Sequence, residues 1–279
     1  MTFRPEAKGS VRGPFDWRWS SSDSLLYSLG VGAGPEELAF TTENSAGHPQ
    51  QVLPTFAVMN GRLRGDLLDE IGTIDWENVV HGAQSFELSG EIPVEGALET
   101  YTSIEGVYDK GSAAVIELES VSKVPDSGQV LVRSRSMLFI KDAGGFGGSR
   151  GPSRRFVRPE RIPDFQVIES TKESQALLYR LTGDRNPLHS DPHYAQKAGF
   201  SQPILHGLCT YGFAGRALLH TVAKSDPSKF RAMSGNFVAP VVPGDTLSTA
   251  IWATDDGAAF ETTRTDGQAV LNGSYQNHS

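Results

Sequence analysis

Leu177-Leu178-Tyr179-Arg180-Leu181-Thr182-Gly183 repeats an earlier stretch of the same chain, Leu25-Leu26-Tyr27-Ser28-Leu29-Gly30, and this repetition decides the architecture. Two further pairs follow in the same order and at nearly constant offset. Gln51-Val52-Leu53-Pro54-Thr55-Phe56 pairs with Ser201-Gln202-Pro203-Ile204-Leu205-His206, proline against proline. Pro93-Val94-Glu95-Gly96-Ala97-Leu98 pairs with Val242-Pro243-Gly244-Asp245-Thr246-Leu247. One such match is unremarkable; three in register indicate an internal duplication. The glycine-rich run over 142–152 lies between the copies and reads as a linker, which divides the chain into units 1–150 and 151–279.

Within each copy the expected order is helix, loop, helix, then strands. The apolar side of 174–181 predicts a short helix. Residues 208–223 form the longest helical candidate, and its Gly212, Ala214 and Gly215 would let another element approach closely. Segments 113–121, 130–140, 235–240 and 246–253 read as strands. In the first of these, Ile116, Leu118 and Ser120 alternate with Glu117 and Glu119, as in a half-buried antiparallel sheet. A helix followed by antiparallel strands is an α+β unit, and two such units side by side are expected.

Of the 279 residues 38% are hydrophobic and 21% charged, enough apolar material for a core without metal or disulfide support. Cys209 is the single cysteine and reads as a small core residue. The formal net charge of −8 speaks against nucleic acid as a partner. No secretory leader, membrane span or Ser-Lys-Leu ending is visible, so the expected location is the cytoplasm. Arg154, Arg155, Arg158 and Arg161 form a basic cluster, either a solvated linker or a site for a substrate phosphate.

The segment richest in chemistry runs Gly183-Asp184-Arg185-Asn186-Pro187-Leu188-His189. Gly, Asp, Asn and Pro are turn formers, so a plain loop is one reading. A carboxylate and an imidazole five positions apart are also the raw material of general acid–base catalysis. The first copy decides between them: after Leu-Leu-Tyr-x-Leu it continues Gly30-Val31-Gly32-Ala33, with neither acid nor histidine. A structural loop would be needed twice, an active site only once.

These residues, with Gly199-Phe200 and Pro203-Ile204-Leu205-His206-Gly207-Leu208-Cys209-Thr210, resemble the hydratase 2 motif of MaoC-like (R)-specific enoyl-CoA hydratases. The likeness extends to Leu53-Pro54-Thr55-Phe56, Val80-His81-Gly82 and Asp109-Lys110-Gly111-Ser112. It implies a double hotdog, two units each built as a long central helix wrapped by a curved antiparallel sheet. The second unit would be catalytic; the first would have lost the machinery and made room for the acyl chain. The implied reaction is reversible addition of water to trans-2-enoyl-CoA, giving (3R)-3-hydroxyacyl-CoA in fatty-acid β-oxidation or related metabolism, by a homodimer with no cofactor. Asp184 and His189 would hold the water and share the base and acid roles, with Asn186 shaping the loop. Gly207, at the start of the long helix, would offer its free N–H to the thioester oxygen. The resemblance also implies substrate contacts from His81, Gly82, Lys110 and Phe237; Lys110 suits a CoA phosphate or is a solvated turn lysine.

Other chemistries fit less well. His189 and His193 have a helical metal spacing, but Pro192 stands between them and no cysteine pattern assists. Gly30-Val31-Gly32-Ala33-Gly34 lacks the spacing of a dinucleotide loop. Rival functions are a 3-hydroxyacyl-thioester dehydratase of lipid or polyketide synthesis, a hotdog thioesterase, and an acyl-CoA-binding protein, because fold alone does not dictate function.

Overall fold

The computed structural model describes residues 3–61, 65–153 and 155–278. The first half contains β1 (Val11–Trp19), α1 (Ser21–Gly30), α2 (Leu38–Thr41), α3 (Gly65–Leu68), β2 (Val79–Leu88), β3 (Gly96–Asp109), β4 (Ala113–Lys123) and β5 (Val130–Lys141). The second contains β6 (Phe165–Ser170), α4 (Gln175–Tyr179), α5 (Pro192–Lys197), α6 (Gly207–Thr221), β7 (Phe230–Phe237), β8 (Thr246–Thr254), β9 (Gly257–Arg264) and β10 (Ala269–Asn277). All ten strands form one antiparallel sheet in the order β1-β3-β4-β5-β2-β7-β10-β9-β8-β6. The order is a palindrome: each strand of the first half has its counterpart at the mirror position, and β2 and β7 join the halves. This is the double hotdog.

Side chains alternate along the central strands. Phe86 and Met233 face α6, and Ser85 and Ser234 point away from it. The repeated tyrosines meet at the centre, with the rings of Tyr27 and Tyr179 6.2 Å apart. Tyr27 donates to the Thr55 carbonyl, whereas Tyr179 packs 4.8 Å from the ring of His206. Equivalent positions therefore serve a backbone in one half and an imidazole in the other.

The two central helices differ. In the second half α6 runs 15 residues, almost wholly buried. In the first, the corresponding element is a seven-residue 3-10 turn, Pro54–Asn60. Tight 3-10 geometry seldom extends far, and Asn60-Gly61 supply a poor continuation. The proline-to-proline match of the sequence reading is also out of step. Pro54 occupies the first turn of its helix, but Pro203 precedes the His206 cap of α6 by three residues. Strand β4 departs from half-burial in a similar way: Glu119 is buried because Arg133 and Arg135 cover its carboxylate. The strand expected over 235–240 ends at Phe237, with Pro240 beyond it.

Close approach to α6 occurs where its glycines stand. A Cβ on Gly212 would lie 2.4 Å from Val31 Cγ1, and one on Gly215 2.2 Å from Thr55 Cγ2. Gly215→Ala is therefore expected to destabilise by ~1–3 kcal/mol through overpacking, although alanine improves helix propensity by ~1 kcal/mol. Adding Thr55→Ser, which removes Cγ2, should restore the denaturation midpoint. An unchanged midpoint in the single variant would show that the contact yields freely.

The linker is a built loop. The Asp109 carboxylate accepts N–H bonds from Gly111, Gly145 and Gly147 at 2.7–2.9 Å, and all three glycines have positive φ. Arg158 pairs with Glu261 at 3.3 Å, and Arg161 pairs locally with Asp164 and donates to the Ala253 carbonyl at 2.7 Å, so these two arginines hold the segment after the linker against the second-half sheet. Arg155 lines a groove of about 550 Å³ together with Glu105, Glu117 and Arg135, a mixed charge ill suited to phosphate. Arg154 lies outside the described residues.

Candidate active site

The loop after α4 builds itself from local bonds. A short 3-10 turn ends at Gly183, whose φ of 136° favours glycine. The Asp184 carboxylate accepts from Asn186 N–H at 3.1 Å, and the Asn186 side chain accepts from Leu188 N–H at 3.0 Å. Asn186-Pro187 then opens the 3-10 turn that carries His189. Asp191-Pro192 opens α5 in the same manner, with Asp191 accepting from His193 and Tyr194. Each pair places a side-chain acceptor at the cap and a proline at the first helical position. Asp184 and Asn186 remain exposed while His189 is buried.

His189 Nδ1 lies 2.9 Å from the Ile204 carbonyl. A carbonyl only accepts, so Nδ1 carries the proton and Nε2 presents a lone pair. Burial pushes the His189 pKa below its ordinary value, and the Ile204 bond and the Asp184 charge oppose that shift. The imidazole is accordingly neutral and basic at Nε2, the state a general base requires.

A third group completes the cluster, one that sequence reasoning quoted within the motif but left without a role. His206 caps α6, is 1% exposed, and stacks on His189 with ring centroids 3.7 Å apart. Its Nε2 lies 3.2 Å from the Asp184 carbonyl. One carboxylate oxygen of Asp184 and one ring nitrogen from each histidine lie within 4.8 Å of one another. That separation fits a single water bridging the groups at ordinary hydrogen-bond lengths.

Gly207 opens α6, where the first N–H groups have no intrahelical partner. The Phe237 ring covers it: a Cβ there would lie 3.1 Å from that ring. Phe237 in turn packs 4.9 Å from His81. His81 reaches this position through a bulge. In the β2–β5 register His81 opposes Leu138 and Ala83 opposes Met137, which leaves Gly82 as the extra residue. Since side chains alternate, one inserted residue turns His81 to the same face as Gln84, toward α6. Its Nε2 is shielded from solvent with no partner, and burial lowers its pKa to about 4 against the pull of the Ala83 backbone and the Asp184 charge.

The fold thus gathers Asp184, His189, Gly207, His81 and Phe237, with Asn186 and Gly82 as their supports. Lys110 stands apart. It sits at the β3–β4 turn, with β4 and β5 between β3 and the β2 strand of His81. Its ammonium donates to the Pro152 carbonyl at 3.0 Å.

Two family descriptions match this chain: "MaoC like domain" over residues 155–272 and "MFE-2 hydratase 2 N-terminal domain" over residues 17–142. Among curated proteins, 3-hydroxyacyl-thioester dehydratase Y of Mycobacterium tuberculosis is 43% identical over 271 residues, covering 96% of this chain and 93% of that protein. Enoyl-CoA hydratase ChsH3 of the same organism is 40% identical over 255 residues, covering 88% and 87%. Among solved structures, full-length peroxisomal multifunctional enzyme type 2 from Drosophila melanogaster superposes with a TM-score of 0.83 at 36% identity. The match covers 96% of this chain and 48% of that one, so the chain spans about half the length of the fly enzyme.

Proposed function

Because the chain belongs to the MaoC-like hydratase 2 family, we propose that it adds water reversibly to trans-2-enoyl-CoA to give (3R)-3-hydroxyacyl-CoA. The observation that carries this reading is the convergence of the Asp184 carboxylate and a neutral His189 within one water's reach. In the hydration direction the water oxygen bonds to C3 and its proton passes to the Asp184–His189 pair. Electron density moves through C2 to the thioester oxygen, where the Gly207 N–H stabilises the negative charge. Return of a proton to C2 closes the cycle, and the reverse sequence is dehydration. An oxyanion donor of this kind contributes ~2.7–4 kcal/mol to the barrier.

In the first half Gly30-Val31-Gly32-Ala33 replace the segment that carries Asp184, and the shortened central helix supports a role in housing the acyl chain. Lys110, outside the reacting cluster, is a candidate contact for the distant phosphate end of CoA. Fatty-acid β-oxidation, a homodimer and a cytoplasmic location complete the proposal. Exposed Leu29, Leu177 and Leu181 offer apolar surface for association. No helix among the described residues is long and apolar enough to cross a membrane.

Purified protein mixed with trans-2-enoyl-CoAs of short, medium and long chain should bleach the enoyl-thioester absorbance. The product should be intact 3-hydroxyacyl-CoA of R configuration. Release of free acid and CoA would instead identify a thioesterase, and binding without turnover an acyl-CoA sensor.

A further inference from the structure

We infer that His206 is a positioning residue that holds both members of the reacting pair, Asp184 through its backbone and His189 through its ring face. The inference rests on the hydratase reading above and adds a residue to it. A buried histidine beside a helix start is more often a packing residue, but three observations here go beyond packing. The contact to Asp184 is directional: Nε2 faces a carbonyl, which obliges Nε2 to carry the proton. The contact to His189 is a face-to-face stack at 3.7 Å, with Tyr179 4.8 Å from His206 on its ring. With Nε2 protonated, Nδ1 is left as a lone pair, and it is buried without a partner. An unsatisfied buried polar atom costs ~1–3 kcal/mol, so its persistence calls for a functional reason.

The arrangement supplies one. Asp184 lies on an exposed loop, and no other side chain among the described residues bonds its carbonyl. His189 has one hydrogen bond to fix its ring, at Ile204; a flat neighbour removes the remaining rotation. Because His206 also caps α6, it sets the Gly207 N–H and the water-holding pair in one frame. Burial, and next the nearby His189, push the His206 pKa well below the ordinary value. The second imidazole therefore stays neutral and places no charge beside the base. The charged or titratable groups facing the stack are Asp184, Arg180 and Tyr179.

Two substitutions separate the contacts. His206→Phe keeps the ring face and loses the donor to Asp184; kcat should fall about 10–100-fold with KM little changed and the acidic limb of kcat/KM unmoved. His206→Gln keeps a donor near Nε2 and opens the space beneath His189. Water entering there relieves the burial that depresses the His189 pKa, so its base form is lost at higher pH and the acidic limb moves toward about 6.5. Both variants retaining kcat within about twofold and the wild-type pH profile, with only Tm lowered, would reduce His206 to a packing residue. If neither variant folds, nitrogen-15 NMR of histidine-labelled wild-type protein decides: a neutral Nε2–H tautomer that does not titrate between about pH 5 and 8 is expected. Titration in that range, or protonation at Nδ1, would overturn the assignment. Wild-type protein that fails to hydrate any enoyl-CoA tells against the reading of function, and the tautomer measurement still judges His206 independently.

Discussion

Asp184→Asn is expected to lower kcat by about 10²–10⁴-fold while leaving KM and Tm close to wild type. The amide is nearly isosteric, and its oxygen can still accept from Asn186 N–H, so the turn that shapes the loop survives. What disappears is the negative charge beside His189 and the proposed proton acceptor for the water. His189→Asn is the companion change. It preserves a donor near Nδ1 for the Ile204 carbonyl but removes the Nε2 base. The double variant should be little worse than either single one, because the two groups act on one water. Steady-state rates with a medium-chain enoyl-CoA, together with thermal melts, test this directly. Wild-type-like turnover in Asp184→Asn would remove the carboxylate from the mechanism and leave His189 to act alone.

The second large effect concerns stability. Arg216, on α6 and 6% exposed, pairs with Glu37 of the first half and with Glu169 of β6 at 2.8 Å, and donates to the Val31 carbonyl at 3.2 Å. His220, one turn along, reaches Glu37 at 2.7 Å. Burial works to raise the Glu37 carboxyl, but hydrogen bonds from His220 and Arg216 outweigh it and hold the group below the ordinary carboxylate range. Glu169 moves the other way, because desolvation exceeds the help it receives from Arg216. Arg216→Met leaves two carboxylates facing one another without their cation. Breaking one side of a buried ion network typically costs about 3–5 kcal/mol, and that loss should appear in urea denaturation. Adding Glu37→Gln and Glu169→Gln to the same chain should recover most of it, since the buried charges are then gone together. A single variant within about 1 kcal/mol of wild type would contradict the network's importance.

How much of this was legible in the sequence depends on how far each interaction reaches along the chain. The loop around Asp184 and His189 was readable because its bonds are local. Asp184 caps Asn186, Asn186 caps Leu188, and the prolines at 187 and 192 preset their turns. The same holds for the long helix, whose Gly212 and Gly215 announced the close approach that Val31 and Thr55 make. Comparison of the two copies also showed that only one carries the paired Asp184 and His189.

Four features were decided by tertiary structure. Glu37 and Arg216 are 179 positions apart, and nothing in their local surroundings marks them as partners. His206 lies within the Pro203–Thr210 motif, yet its contacts are a ring stacked against it and a carbonyl 22 positions away. His81 faces the cluster because Gly82 is an extra residue in β2, and a bulge exists only relative to the neighbouring strand. Lys110 donates to the linker carbonyl of Pro152, 42 positions distant, a partner that its own turn does not announce. The chain's own pattern determined the duplication, the antiparallel units and the loop of Asp184 and His189, because short-range caps and periodicity encode these directly. Which side chains meet across the two halves was settled only when the ten strands took their register.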